Sequence, residues 1–256
     1  MRFEFKYLVP IEQYESLKAV MLPFLKRDRF AQLQPKGLYT VRSIYFDTPG
    51  FEMYHTKIEG IAHRMKVRLR CYNIGDDNAT VFMEIKRKYE GPILKNRSDA
   101  SFGLVKQLFN RASFEDCAPH IHNPDNARRF FYQILSHNLQ PVVNVIYERE
   151  PFQANTVNIE NDFRCTFDMH LRSVAYPKVE ELYREDHVCY AYPGFFILEI
   201  KFNQYCPAWV KPVIEDFQLR KEPASKYVGT IDSNPFINVM RHNDVFAKTP
   251  IRSTQF

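Results

Sequence analysis

Charged and apolar residues alternate along residues 64–70, which read Arg-Met-Lys-Val-Arg-Leu-Arg. Side chains two positions apart in a β-strand lie on the same face, so the four cations share one face while Met65, Val67 and Leu69 share the other. The segment is therefore predicted to be a strand with one cationic face. Taken alone, this pattern is typical of a half-buried strand whose polar face meets water.

The same alternation recurs along the chain. Further charged ladders comprise Arg2, Glu4 and Lys6; Glu84, Lys86 and Lys88; Lys95 and Arg97; and Glu199 and Lys201. Five such ladders in one chain predict a closed sheet whose apolar side packs outward against helices. The charged sides would then line an interior.

The remaining pattern predicts an α+β fold with roughly seven to nine strands, in one domain over residues 1–256. Strands are predicted at 2–9, 38–47, 61–72, 80–88, 93–98, 141–152, 157–169 and 195–202, and helices at 11–26, 101–111, 125–139 and 207–219. The strands at 61–72 and 80–88 are expected to pair as a hairpin across a turn-rich segment. Residues 177–192 have a mixed pattern that predicts no element.

Composition indicates the class of ligand and the cellular compartment. The chain is 45% hydrophobic and has a net charge of +5, and its cations are clustered, which favours an anionic ligand over general affinity for nucleic acid. Five cysteines include no C-x-x-C pair, so neither a disulfide framework nor a structural zinc site is indicated, and a reducing cytoplasm is expected. No secretory signal or transmembrane segment is predicted.

A cation-lined interior predicts a highly anionic ligand, because like charges removed from water repel one another unless anions or water remain with them. Arginine offers a planar fork for phosphate oxygens and lysine a mobile point charge, so the mixed set suits a phosphate chain. Glu199 and Glu4 could hold Mg²⁺ or Mn²⁺ that bridges phosphate oxygens.

Two other interpretations compete with this one. The ladders could be solvated strand faces with cross-strand ion pairs, such as Glu84 with Arg68 or Arg70. They could also form a basic groove for nucleic acid, but Phe3, Phe5 and Phe82 are interpreted as alternating out of phase with the cations, so no stacking platform is expected.

Other catalytic signals are weak. His120 and His122 have no partner at metal-ligand spacing, and the chain contains no G-x-S-x-G turn, Walker loop or G-x-G-x-x-G motif. A bound nucleotide would therefore be held by side chains.

At these residues the chain resembles the VTC (vacuolar transporter chaperone) catalytic domain, a polyphosphate polymerase branch of the CYTH-like triphosphate tunnel metalloenzymes. The motifs are Lys6-Tyr7, Ser43–Asp47, His63–Tyr72, Phe82–Lys86, Lys95-x-Arg97, Tyr147-Glu148-Arg149, Leu198–Lys201, Pro207-x-Trp209-Val210 and Ser225-Lys226-Tyr227. They span nearly the whole chain in the family's order.

The resemblance implies an antiparallel β-barrel tunnel with helices packed on the outside. It also implies that the γ-phosphate of ATP is transferred to a growing inorganic polyphosphate chain with a divalent metal, Mn²⁺ or Mg²⁺. Carried over by motif, the phosphate-binding residues are Lys6, Arg68, Arg70, Lys86, Lys95, Arg149 and Lys226, the metal ligand is Glu199, and Lys201 lines the same wall. With the residues of the charged strands added, the predicted catalytic set is Lys6, Arg68, Arg70, Lys86, Arg149 and Lys226; the substrate-binding set is Arg64, Lys66, Lys88, Lys95, Arg97, Tyr147, Arg164, Lys201 and Ser225; and the metal ligands are Glu199 and Glu4. Tyr147 and Ser225 would support the nucleotide end.

The first motif of the chain differs from that of the wider superfamily, and the difference bears on which reaction is expected. Its opening Glu-x-Glu-x-Lys reads Arg2-x-Glu4-x-Lys6 here, so a cation replaces the first metal carboxylate. This change argues against a two-metal hydrolase and agrees with the polymerase branch. Hydrolysis of tripolyphosphate or nucleoside triphosphates, and a non-catalytic polyphosphate sensor, stay as alternatives.

Overall fold

The fold is built on one antiparallel sheet, seen in a computed structural model that describes residues 3–89, 93–155, 162–237 and 239. Within these residues there are ten strands, two of them very short. They are β1 (Phe3–Pro10), β2 (Leu25–Arg27), β3 (Tyr39–Asp47), β4 (Arg64–Tyr72), β5 (Thr80–Lys88), β6 (Ile93–Ser101), β7 (Gln140–Ala154), β8 (Arg164–Ala175), β9 (Cys189–Tyr190) and β10 (Phe195–Phe202).

The strand order is β1-β10-β8-β7-β3-β4-β5-β6, with β2 on β7 and β9 on β8. In the described residues β1 and β6 are edges that do not pair with each other, so the sheet is curled rather than sealed. The curl is evident because residues of β1 and β10 line the same cavity as residues of β4 and β5. The predicted antiparallel tunnel fold of the α+β class is thereby confirmed.

Eight α-helices pack around the sheet in the described part of the chain. They are α1 (Tyr14–Met21), α2 (Arg29–Gln32), α3 (Glu52–Ile58), α4 (Phe102–Phe109), α5 (Phe114–Cys117), α6 (Pro124–Ser136), α7 (Val210–Asp216) and α8 (Lys226–Asp232).

The alternation predicted from the sequence decides where the core lies. Val67 and Leu69 of β4 are fully buried with Phe130 of α6, while Leu198 of β10 is fully buried with Leu17 of α1. The apolar sides of these strands therefore face outward against helices, and their charged sides face the concave interior.

Two segments differ from the sequence-based assignment. The predicted helix at 11–26 is wrong beyond Met21, because the chain forms a 3₁₀ turn and then β2. Pro23 lies in that turn, and Leu25 pairs with Ala154 of β7 instead of continuing a helix. Residues 226–232, for which no element is predicted, form α8, whose first turn is capped by the Ser225 hydroxyl.

The strand predicted at 157–169 also differs. Residues 156–161 lie outside the described residues, and the strand runs on from Arg164 to Ala175. All five cysteines are free in the structure. Among the described residues, no helix is both long and apolar enough to cross a membrane.

Candidate active site

The concave face of the sheet encloses a cavity of about 310 Å³. Twelve cations line it, against only two carboxylates, Glu4 and Glu199. The cations are Lys6, Lys57, Arg64, Lys66, Arg68, Arg70, Lys86, Arg87, Lys88, Arg149, Lys201 and Lys226. Such an excess of positive charge in a partly enclosed space matches the ligand class expected from the ladders, a polyanion.

Fourteen of the seventeen residues predicted for the site lie on this cavity. The other three do not line it. Lys95 and Arg97 lie on the edge strand β6, where both contact the carboxylate of Glu84 at 2.7 and 3.5 Å. Arg164 is exposed and forms an ion pair with Asp162.

Several lining residues were not predicted. Lys57 of α3 and Tyr227 of α8 come from helices, so no strand alternation marks them. Tyr45 of β3 was detectable, since it continues the face that carries Ser43. The carboxylates behind the cations, Asp168 and Glu84, are also part of the site, and the sequence pointed to Glu84 only as an ion-pair partner.

Arg68 is the most firmly held of the cavity cations. Its Nε and Nη2 donate to one oxygen of Glu84 at 2.8 and 2.6 Å, and its Nη1 donates to the Tyr45 hydroxyl at 2.8 Å. Glu84 is 1% exposed, so this is a buried ion pair. Burial alone would raise the pKa of Glu84. The charges of Arg68 and Arg70 outweigh burial and hold that pKa well below its ordinary value.

Arg149 and Lys226 share a second buried carboxylate, Asp168. Arg149 binds it through two parallel hydrogen bonds of 2.7 and 2.8 Å, and Lys226 Nζ lies 2.6 Å from Oδ2. Both cations also lie near the ring of Tyr147, at 5.3 and 5.0 Å from its centroid. Burial alone would lower the pKa of Lys226. The charges of Asp168 and Glu199 outweigh burial and raise that pKa, so this lysine stays protonated.

Glu199 and Glu4 come together because β1 and β10 are paired. Lys201 contacts Glu199, and Lys6 lies 2.7 Å from Glu4 and 3.8 Å from Glu199. Burial alone would raise the pKa of Glu199. The charges of Lys201 and Lys226 outweigh burial and hold that pKa well below its ordinary value. Glu199 is therefore an ionised carboxylate inside the cavity, the state required of a metal ligand.

The donor set fits a divalent metal that shares its coordination with substrate. In the described residues no group of three or more His, Cys, Asp or Glu side chains could hold an ion by itself. Mg²⁺ is commonly held by one or two carboxylates together with waters and substrate phosphates, and the two carboxylates of the cavity fit this kind of coordination.

The cations of β4 and β5 form a different arrangement, because like charges lie opposite each other. Arg64 pairs in register with Lys88, and Lys66 with Lys86. Like charges directly across a sheet destabilise it. The nearby charge of Arg68, together with burial, lowers the pKa of Lys86 to about 6, and burial lowers that of Lys66 to about 8.

Two tyrosines join the cavity wall to the helices. Tyr45 stacks on Tyr227 at 4.9 Å, and the Tyr227 hydroxyl donates to Asp47. Asp47 also accepts from the backbone N–H groups of Met53 and Tyr54 at 2.9 and 3.0 Å, which anchors α3. Burial alone would raise the pKa of Tyr45, but the charges of Arg68 and Lys66 outweigh burial and lower that pKa to about 8.

Together, the curled antiparallel sheet, the twelve cations and the two carboxylates define a polyanion-binding tunnel protein. The sequence model of the VTC domain family matches residues 1–234, and the chain belongs to that family. The resemblance found in the motifs is thus confirmed.

Other comparisons are more distant. A solved structure of a Hippeastrum protein, described as the candidate adenylyl cyclase HpAC1 with a dominant triphosphatase activity, is similar at 13% sequence identity. The alignment covers 91% of this chain and 96% of that chain, with a TM-score of 0.47. A comparison with curated proteins finds no match.

Proposed function

We propose that this protein is a metal-dependent polyphosphate polymerase, which transfers the γ-phosphate of ATP to a growing inorganic polyphosphate chain inside the cavity. The observation that carries the proposal is the row of opposed cations on β4 and β5, next to the ionised Glu199. Membership of the VTC domain family supports it. We further propose a cytoplasmic location, which suits five free cysteines.

The roles of the cations follow from what holds them. Arg68, Arg149 and Lys226 are fixed by buried carboxylates, so they are oriented before substrate arrives. Arg70 donates hydrogen bonds to the hydroxyls of Ser43 and Tyr147, at 3.1 and 3.3 Å, and forms no ion pair within 4 Å among the described residues, so its charge is available to phosphate. Phosphoryl transfer depends mainly on positioning and on neutralising charge, which this set provides.

In the reaction, a terminal oxygen of the chain forms a bond to the γ-phosphorus while the bond from that phosphorus to the bridging oxygen breaks. The electron pair leaves with ADP, and nothing is oxidised or reduced. Glu199 and Glu4 would hold the divalent metal, Mn²⁺ or Mg²⁺, which when bound neutralises charge on phosphate oxygens. Lys66 of β4 and Ser225, which caps the N-terminus of α8, lie 3.2 Å apart and would contact the phosphates.

Incubation of the purified protein with ATP and Mn²⁺ or Mg²⁺ tests the proposal. Acid-stable chains that exopolyphosphatase degrades are expected, and Glu199→Gln should abolish them while the thermal unfolding transition stays cooperative. Glu215→Gln is the matched control, because Glu215 lies on α7 with a 64% exposed side chain. Release of orthophosphate alone would indicate a hydrolase, and tight binding without turnover would indicate a sensor.

A further inference from the structure

Two short helices, α3 and α8, are joined by reciprocal hydrogen bonds between tyrosines and carboxylates. Tyr227, in the first turn of α8, donates to Asp47, which ends β3 shortly before α3 begins. In the opposite direction, Tyr54 of α3 donates to Asp232, the last residue of α8, at 2.5 Å. Each helix has only seven residues, too few to be stable alone, so its position depends on such contacts.

Asp47 connects the two helices through one carboxylate. It is fully buried, and it accepts from the backbone N–H groups of Met53 and Tyr54 in the first turn of α3. Phe51, which precedes α3, provides no side-chain cap, so Asp47 caps this turn in its place. Because the same carboxylate also holds Tyr227, a displacement of either helix would strain the bonds to the other.

The second bond places a charge where the helix alone would not favour it. Asp232 lies at the C-terminal end of α8, and the helix dipole disfavours negative charge at that end. Tyr54 is 7% exposed, so its hydroxyl requires a hydrogen-bond partner, and Asp232 provides an acceptor. The bond to α3 therefore offsets an unfavourable position of the carboxylate on α8.

Both helices contribute side chains to the cavity. Lys226 and Tyr227 of α8 line it, as does Lys57 of α3. The Tyr227 ring stacks on Tyr45 at 4.9 Å, and Arg68 donates to the Tyr45 hydroxyl. A shift of either helix would therefore move groups that face the ligand.

The helix pair must also resist repulsion. Lys57 forms no ion pair with a carboxylate in the part of the chain that the structure describes. Burial and the neighbouring charges of Arg64 and Lys6 lower the pKa of Lys57, so α3 holds this lysine against other cations. The bonds of Asp47 and Asp232 oppose this repulsion when the cavity is empty, and a bound polyanion would replace it by attraction.

We propose that α3 and α8 form one clamp, which keeps Lys57 and Lys226 on the bound phosphates. The positioning residues of the clamp are Asp47, Tyr54 and Asp232, none of which lines the cavity. They act on the ligand through the two lysines. The clamp rests on the proposed function in one respect, that the ligand of the cavity is a chain of phosphates.

The first experiment removes one hydroxyl from the clamp, by Tyr54→Phe. Its matched control is Tyr14→Phe, because Tyr14 also donates to a carboxylate at 2.5 Å, that of Glu150, and neither residue lines the cavity. Tripolyphosphate binding is measured without metal, and unfolding is measured in urea. Both variants should lower the urea midpoint. Only Tyr54→Phe should weaken binding, by up to about tenfold, which is about what a hydrogen bond to a charged group contributes to an equilibrium constant.

The same bond is tested from its other side. Asp232→Ala should weaken tripolyphosphate binding as Tyr54→Phe does. Asp232→Asn should restore most of the affinity, because the amide oxygen can accept the same hydrogen bond. Loss of the negative charge alone would strengthen anion binding in both Asp232 variants, so it would not produce this pattern.

Two double variants test whether the clamp acts as a unit. Lys57→Gln should weaken binding less in the Tyr54→Phe protein than in the wild type, because α3 no longer holds the lysine on the ligand. In the Tyr14→Phe protein it should keep its full effect. Tyr54→Phe and Tyr227→Phe together should weaken binding no more than the stronger of the two alone, because each opens the same clamp.

Independent effects would overturn the clamp. These are losses of affinity that multiply in either double variant, a loss below twofold in Tyr54→Phe, or an equal loss in Tyr14→Phe. If Tyr227→Phe fails to fold, the combination of Lys57→Gln with Tyr54→Phe decides. All of these are binding measurements, so failure to synthesise polyphosphate would refute the proposed function and leave the clamp standing. Multiplied losses in a protein that synthesises polyphosphate would refute the clamp alone.

Discussion

Lys86 offers the sharpest test of the site, because its charge should depend on whether an anion is bound. It faces Lys66, Arg68 and Arg70 of β4, Lys95 of β6 and Lys201 of β10. Glu84 is the acidic group beside it, and its oxygens are engaged by Arg68 and Lys95. Repulsion from Arg68, burial and repulsion from Arg70 lower the pKa of Lys86 to about 6.

The size of the effect follows from that value. With a pKa of about 6, Lys86 in the empty protein is about 1% protonated at pH 8. A bound polyphosphate supplies the missing negative charge and should return the pKa toward 10.5, so binding at pH 8 should take up nearly one proton at this side chain. Between pH 6 and 8, affinity should therefore fall by up to about tenfold per pH unit.

Isothermal titration calorimetry measures this uptake directly. Tripolyphosphate is titrated into the metal-free protein at pH 8, in two buffers with different ionisation enthalpies, and the difference in heat gives the protons exchanged. Lys86→Met should take up about one proton fewer than the wild type. Lys211→Met is the matched control, because Lys211 lies on α7 with an 80% exposed side chain and does not line the cavity, so its variant should keep the uptake.

Stability gives an independent check with a defined sign. A lysine whose pKa is lowered in the folded state destabilises the fold fully below pH 6, and that penalty disappears as the pH rises toward 10.5. Lys86→Met should thus be more stable than the wild type near pH 6, with a difference that shrinks by about 1.4 kcal/mol per pH unit above it. Equal proton uptake in both proteins at pH 8, with parallel stability curves, would refute the reasoning.

Three further substitutions test other parts of the site and core by urea unfolding. Arg68→Ala leaves Glu84 buried without its guanidinium and should cost about 3 kcal/mol, which Arg68→Lys should partly recover. Asp47→Asn presents an amide to donors that need an acceptor, including the Tyr227 hydroxyl, and should cost about 2 kcal/mol. Leu198→Ala empties a fully buried position and should cost roughly 2–5 kcal/mol, with the cavity-facing charges unchanged.

The strands and their faces could be predicted because alternation is a local property of the sequence. The hairpin of β4 and β5 is confirmed, and β10 runs from Phe195 to Phe202 as its alternation predicts. The opposition of Lys66 to Lys86 could not be predicted, because it depends on the register across the turn. A shift of two residues would keep every side chain on its face and change every partner.

The parts of the site contributed by helices were harder to predict. Lys57 and Tyr227 reach the cavity because Asp47 fixes both α3 and α8, through contacts between residues as far apart as 47 and 227. No local pattern encodes such a contact. Conversely, Arg164 was predicted to bind substrate, yet it lies at the exposed start of β8 and does not line the cavity.

The division of the cavity cations into paired and unpaired sets explains how a site this positive can fold and still bind selectively. Arg68 and Arg149 are held by carboxylates that are each 1% exposed, so their charges are neutralised within the protein and their positions are fixed. They contribute geometry rather than net attraction. The opposed pairs on β4 and β5 have no such partners among the described residues. For Lys66 and Lys86, burial and neighbouring cations lower the pKa, so loss of protons relieves the repulsion of this pair when the cavity is empty. Part of the positive charge, that of Lys66 and Lys86, therefore develops when an anion arrives, which couples this part of the attraction to the ligand and limits the repulsion that the empty fold must withstand.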